Sequence, residues 1–220
     1  MDSPQIVPVG GGLDTAILDY VLALARGRRL LFVGTAGMED PRSALLVYEQ
    51  LKDRGPVSFL RFNPWPPADL RAFTLAHDVI VVGGGNTANM LAVWRVHGFD
   101  RVLREAWESG VLLTGWSAGM ICWFEAGVTD SFGPQLDGMR DGLGFLAGSA
   151  CPHYDGEELR RPVYRRLVSE DGFPEGLALD DSAAALFVGT DLREVVAARP
   201  GAGGYLVGPD GERPLETRQL

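Results

Sequence analysis

Asp78-Val79-Ile80-Val81-Val82-Gly83-Gly84-Gly85-Asn86-Thr87 is the stretch that decides the fold. Val79 to Val82 is apolar at every position instead of at alternate ones. A strand of that kind is buried on both faces, as in the middle of a doubly wound, mostly parallel sheet. The glycines turn the chain, and a helical pattern starts near Thr87. The same order recurs on either side. Gln5 to Val9 runs into Gly10-Gly11-Gly12, and Val111 to Thr114 runs into Gly115-Trp116-Ser117-Ala118-Gly119. Arg29 to Val33 and Val57 to Phe62 complete the set of candidate strands. Between them lie helical stretches at Asp14 to Ala25, Pro41 to Lys52, Ala68 to Ala76, and Thr87 through Trp107 with a break near Gly98. Strands alternating with helices at this spacing predict βαβ units and an α/β fold.

The last third changes character. A short helical start after Ser117 gives way to a glycine-rich stretch, Asp137 to Gly148, with a strand at Phe145 to Ala150 and a helix at Gly156 to Ser169. Strand-like pieces follow at Gly176 to Leu179, Ala184 to Val188, Arg193 to Ala198 and Gly204 to Val207. They read as an antiparallel, β-rich closing section on the same sheet. No repeat, linker or low-complexity segment divides the chain, so residues 1–220 are read as a single α/β domain.

Composition narrows the function. Of the 220 residues 46% are hydrophobic and 22% charged, ordinary values for a globular chain. The formal net charge is -9, which repels nucleic acid and anionic membrane. The start, Met1-Asp2-Ser3-Pro4-Gln5, has neither the basic nor the apolar region of a secretory leader. No apolar run approaches the roughly 20 residues that span a bilayer. The two cysteines, Cys122 and Cys151, match no metal-ligand spacing and point to a reducing, cytoplasmic setting.

In an open parallel sheet, ligands bind beyond the carboxyl ends of the strands. Three features fall there: the Gly83–Thr87 turn, the Gly115–Gly119 turn and Cys151-Pro152-His153-Tyr154. Gly115-Trp116-Ser117-Ala118-Gly119 fits the G-x-S-x-G nucleophile elbow, in which small neighbours let a sharp turn lift the serine Oγ clear of the sheet. The competing reading is a plain strand–helix turn with Ser117 as N-cap. A serine nucleophile needs a base, and only three histidines exist. His77 precedes its strand and His97 follows a helix, both on the opposite edge, which leaves His153. An acid should orient the imidazole. Asp180 and Asp181 follow a strand onto the same rim, and Asp130 lies between Ser117 and His153; position leaves these open. The Gly83–Thr87 turn lacks the lysine of a P-loop and does not fit G-x-G-x-x-G, so its amides suit an oxyanion better than a nucleotide. Gly10-Gly11-Gly12 is read as a place of close backbone approach.

Gly83-Gly84-Gly85-Asn86-Thr87, Gly115-Trp116-Ser117-Ala118-Gly119, Pro152-His153-Tyr154 and Leu179-Asp180-Asp181-Ser182-Ala183-Ala184, in this order and at these spacings, resemble the serine peptidases that include aspartyl dipeptidase (peptidase E) and cyanophycinase. The resemblance spans the middle and end of the chain. It implies a class I glutamine-amidotransferase-like fold with Ser117 as nucleophile and His153 as base. It favours Asp181 as the acid, in a loop where the family carries Glu, with Asp180 and Asp130 as alternatives. It also implies an oxyanion hole on the amides of Gly85 and Ala118, and a substrate site that includes Gly84, Asn86 and Asp130. In the aspartyl dipeptidases a basic residue after the histidine binds the substrate's Asp side chain. Glu157-Glu158-Leu159-Arg160-Arg161 puts Arg160 there, although the segment from His153 is shorter than in strict Asp-X enzymes. Otherwise Arg160 and Arg161 sit on a solvated helix face in i,i+4 pairs.

The expectation is a serine exopeptidase of short peptides, a dipeptidase, working through an acyl-enzyme without metal or organic cofactor. A carboxypeptidase or a cyanophycinase-like hydrolase on the same triad is the alternative, and a non-catalytic binding member of the fold is the alternative of another class. Cys122, inside the helix after the elbow, is a weaker nucleophile candidate. The expected partners are short peptides, with nucleic acid and membrane excluded and a homo-oligomer left open.

Overall fold

The continuously apolar runs become the inner strands of an eight-stranded sheet. In the computed structural model, which describes residues 3–220, β1 (Gln5–Val9), β2 (Leu30–Val33), β3 (Val57–Leu60), β4 (Val79–Val82) and β5 (Leu112–Trp116) lie parallel in the order β1-β5-β4-β2-β3. Met1 and Asp2, where the absence of a leader was read, lie outside the described residues. Every residue of β2 and β4 is buried, as a strand covered on both faces requires.

Helices α1 (Thr15–Leu24) and α2 (Pro41–Leu51) cover one face. Their Ile17, Leu18, Val21, Val47 and Leu51 share a core with Val7, Leu30, Phe32, Val79 and Val81. The alternate residues Ile6, Leu31, Val33, Ile80, Val82 and Leu113 point the other way. There they meet α3 (Leu70–Leu75), α4 (Thr87–His97), α5 (Phe99–Glu108) and the short α6 (Ala118–Ile121). Gly98, at φ 69°, takes the left-handed conformation that ends α4, which is why the helical pattern breaks there.

The closing section departs from expectation. After α6 come β6 (Phe124–Thr129), β7 (Asp137–Met139), β8 (Leu146–Cys151), α7 (Arg160–Glu170), β9 (Gly176–Leu179), β10 (Ala183–Val188), β11 (Asp191–Ala197), β12 (Gly204–Gly208), β13 (Gly211–Pro214) and β14 (Thr217–Gln219). These strands do not all join the first sheet. β10, β11 and β14 extend it beyond β1, while the others build a second, six-stranded mixed sheet in the order β13-β12-β9-β8-β6-β7. The chain passes from one sheet to the other between β9 and β10 within three residues, Asp180 to Ser182. Ser182, at φ 65°, makes that reversal. Leu146, Ala150, Leu177 and Leu179 of the second sheet join the core under α4 and α5, and its other face packs Ala126, Val128, Cys151 and Ala178 against Tyr164, Leu167 and Val168 of α7. Among the described residues, no helix is long and apolar enough to cross a membrane.

Trp94 anchors α4. It is fully buried, donates from Nε1 to Thr35 Oγ1 at 3.2 Å, and meets Phe99 edge to face at 5.4 Å. Trp94→Ala should therefore cost about 3–5 kcal/mol of stability, seen in urea as a lower midpoint at unchanged slope. An unshifted midpoint would contradict this packing.

Candidate active site

Ser117 forms the turn between β5 and α6. Its backbone, at φ 57° and ψ -113°, lies in a strained region, and its side chain makes no capping hydrogen bond to the helix. Ser117 stands at the N-cap position of α6 but its side chain caps nothing, so the hydroxyl is left for other use. The elbow is pressed onto the end of β4. A Cβ at Gly115 would lie 2.6 Å from the Val82 carbonyl oxygen, and one at Gly119 would strike the same atom. Ala118 is the first helical residue, so its amide has no acceptor within the helix.

His153 follows β8 in a left-handed conformation, φ 53°. Its Nδ1 lies 2.7 Å from Asp181 Oδ1. With Asp181 ionised, Nδ1 donates this bond and Nε2 keeps a lone pair that can take a proton. The Asp181 amide donates to Asp155 Oδ1 at 2.8 Å, and Arg199 bonds both the Asp155 carboxylate and the Asp181 carbonyl, at 3.2 Å for the latter. Asp155 and Arg199 thus brace the turn that carries Asp181. Neither was found from the sequence, because each acts through a contact that no local motif records.

All three turns hang on the end of β1. The carbonyls of Val9, Gly10 and Gly11 accept, in order, the amides of Ser117 at 3.4 Å, His153 at 3.2 Å and Ser182 at 3.3 Å. A Cβ at Gly11 would land on Asp181 Oδ1 and His153 Nδ1, so glycine there leaves the pair its room. The close approach read into Gly10-Gly11-Gly12 is this one.

The other expected residues divide. Gly84 adjoins the elbow: a Cβ on it would lie 3.1 Å from Ser117 Cβ. Gly85 is exposed beside it, at φ 134°. Asn86 is occupied by structure, its Oδ1 capping α4 through the Asn89 amide at 2.8 Å and its Nδ2 donating to the Ser131 carbonyl at 3.0 Å. Asp130, exposed just beyond β6, precedes that Ser131 contact, so it stands on the Gly85 side of the rim. Asp180 points inward instead. It is buried, accepts the Gly203 amide at 3.0 Å, and burial raises its pKa above the usual carboxylate range.

Arg160 is neither on a solvated face nor free to reach outward. Its side chain is 4% exposed, and it donates to the Val128 carbonyl at 2.7 Å and to Glu157 Oε2 at 2.7 Å. Burial works against ionising Glu157, but the bond and charge of Arg160, helped by His153, hold its carboxyl below the usual range. Arg161 pairs with Glu212. His77 and His97 stand away from this rim, His77 against the Phe73 carbonyl at 2.9 Å and His97 on the Phe62 ring at 5.1 Å. Cys122 is buried, and burial pushes its thiol well up, against a thiolate nucleophile. Among the described residues, no three His, Cys, Asp or Glu side chains cluster closely enough to hold a metal ion.

Residues 9–195 match the model of peptidase family S51. The chain belongs to that family. The S51 peptidases include peptidase E and cyanophycinase, so this is a serine peptidase whose substrate class is peptides. It is 45% identical over 213 residues to a Bacillus subtilis (strain 168) protein described as the uncharacterized peptidase YgaJ, covering 92% of this chain and 91% of that one. In fold it matches a crystal structure of a peptidase from an acI-B1 Actinobacterium, with TM-score 0.72, 17% identity, and 98% and 95% of the two chains covered. It also matches a putative peptidase E protein from Listeria monocytogenes EGD-e, with TM-score 0.67, 18% identity, and 87% and 97% covered.

In this S51 peptidase the buried Arg160 has a structural duty. Arg160→Ala should lower stability by about 1–3 kcal/mol, because the Val128 carbonyl and Glu157 lose their partner. Thermal unfolding checks this. An unchanged melting point with a defect confined to acidic substrates would show that the guanidinium serves the substrate instead.

Proposed function

We propose that the chain is an exopeptidase that cleaves short peptides through an acyl-enzyme on Ser117. The observation that carries this reading is the 2.7 Å bond from His153 to Asp181, beside a strained elbow whose serine hydroxyl caps nothing. Asp181 holds the imidazole in the tautomer with Nε2 unprotonated. His153 takes the Ser117 proton as Oγ attacks the scissile carbonyl. The amides of Gly85 and Ala118 stabilise the oxyanion, His153 then protonates the leaving amine, and water releases the acyl group by the same route.

Free peptide ends are charged, and Glu157 supports the preference for short substrates. Its carboxylate is half-exposed and interacts with His153, where it can meet an amino terminus. An Asp-X preference is less well supported, since Arg160 would have to exchange Glu157 for the substrate carboxylate. Both cysteines are free and buried, which suits a cytoplasmic enzyme.

Ser117→Ala should lower kcat on the order of 10⁴- to 10⁶-fold, and adding His153→Ala should cost little more, because the members act as a unit. Asp181→Asn should lower kcat roughly 10³- to 10⁴-fold, while Asp180→Asn and Asp130→Asn keep most activity. Kinetics on a panel of di- and tripeptides, followed by mass spectrometry, decide the matter. A well-folded Ser117→Ala protein with near-native turnover would end this reading, and a larger loss at Asp130 than at Asp181 would move the acid.

A further inference from the structure

Beside the elbow, on the α2 side of the sheet, lies an open cavity of about 580 Å³. Its walls include Phe32, Leu45, Val47, Tyr48, Phe59 and Trp116. Trp116 stacks on Phe32 at 6.1 Å with ring planes 15° apart, and Phe59 meets Phe32 nearly edge-on at 5.9 Å, so the inner wall is aromatic. The cavity borders the elbow. Gly83 and Gly84 line it, Gly84 abuts Ser117, and Trp116 is the residue before the nucleophile.

The acids around it are already satisfied. Glu39 accepts the amides of Phe62 at 2.5 Å and Asn63 at 3.1 Å, and Asp40 accepts the amide and hydroxyl of Ser43, both at 2.9 Å. Arg61, the cation on the lining, is 60% exposed and lies 3.8 Å from Glu39. No buried cation faces the space among the described residues, so an acidic side chain gains nothing there to offset its desolvation. A flat apolar group gains area and ring contacts.

We propose that this cavity is the subsite for a large apolar side chain, aromatic before aliphatic, on the peptide residue next to the scissile bond. The inference rests on the reading of Ser117 as nucleophile. It makes Trp116 and Phe59 specificity-determining, and it gives the exposed apolar side of α2, where Leu45 is 59% and Tyr48 41% exposed, an occupant in the bound state.

Calorimetry with Ser117→Ala protein reads the subsite without turnover. Phe-Ala and Ala-Phe, Ala-Ala and Asp-Ala are the ligands. One of the two phenylalanine peptides should bind at least about 10-fold more tightly than Ala-Ala, and Asp-Ala no better than Ala-Ala. Leu45→Arg, placed in the same background, puts a cation at the mouth and should remove the phenylalanine advantage while improving Asp-Ala. Val96→Arg, on α4 away from the cavity, should change neither. Equal binding of phenylalanine and alanine peptides, or indifference to Leu45→Arg, would overturn the subsite. So would a dimer, seen by sedimentation, that Leu45→Arg breaks while peptide preference is flat, since a second copy would then cover this face. Turnover by the native protein is judged separately. Tight phenylalanine binding with no cleavage of any peptide would reject Ser117 as nucleophile and leave the pocket standing.

Discussion

Three consecutive carbonyls at the end of one strand hold the three turns on which the candidate site is built. Val9, Gly10 and Gly11 accept the amides of Ser117, His153 and Ser182, and those residues come from turns far apart in the chain. Each of the three is a non-glycine residue at positive φ. A left-handed residue of this kind costs about 1–2 kcal/mol, and only a surrounding structure that leaves no alternative keeps it. Here β1 supplies that surrounding, since it is paired to β5 on one side and β10 on the other. β5, which leads into Ser117, and β10, which follows Ser182, are fixed on either side of β1 and cannot move apart.

The same geometry gives two adjacent carboxylates different work. Asp180 follows β9 with its side chain turned inward, where burial disfavours its charge. Asp181 is one residue further on, and alternation turns it to the rim and the His153 ring. Asp155 and Arg199 then fix the backbone of that turn from the solvent side. Gly11 admits the carboxylate and the imidazole to the space a side chain would fill. Which of the two carboxylates meets the imidazole is therefore set by position on a turn, with no difference in residue type.

Much of this was legible from residue order alone. The runs at Val79–Val82 and Leu30–Val33 are apolar on both faces, so the five parallel strands and the covering helices followed directly from the pattern. Ser117 and His153 could be placed on one rim because a glycine-framed turn and a census of three histidines need no tertiary knowledge. Strands at Phe145 to Ala150, Gly176 to Leu179 and Gly204 to Val207 follow from the pattern, but that they build a second sheet does not. β6 is interrupted by Glu125 and Gly127, β7 is only Asp137–Met139, and β13 and β14 are polar edges, so none carries a strand period. Nor does any local signal say that β9 and β10, three residues apart, belong to different sheets. Which of Asp180, Asp181 and Asp130 contacts His153, and the burial of Arg160 against the Val128 carbonyl of β6, are likewise decided by packing between segments remote in the chain.

The most direct test of this arrangement is peptide mapping of a fluorophosphonate adduct, timed in the native protein and in Gly11→Ala. The account predicts a single adduct on the peptide containing Ser117. It also predicts that in Gly11→Ala, where the added methyl displaces Asp181 and His153 from one another, the adduct forms about 100-fold more slowly. An adduct on any other serine, or equal labelling rates in the two proteins, would contradict it.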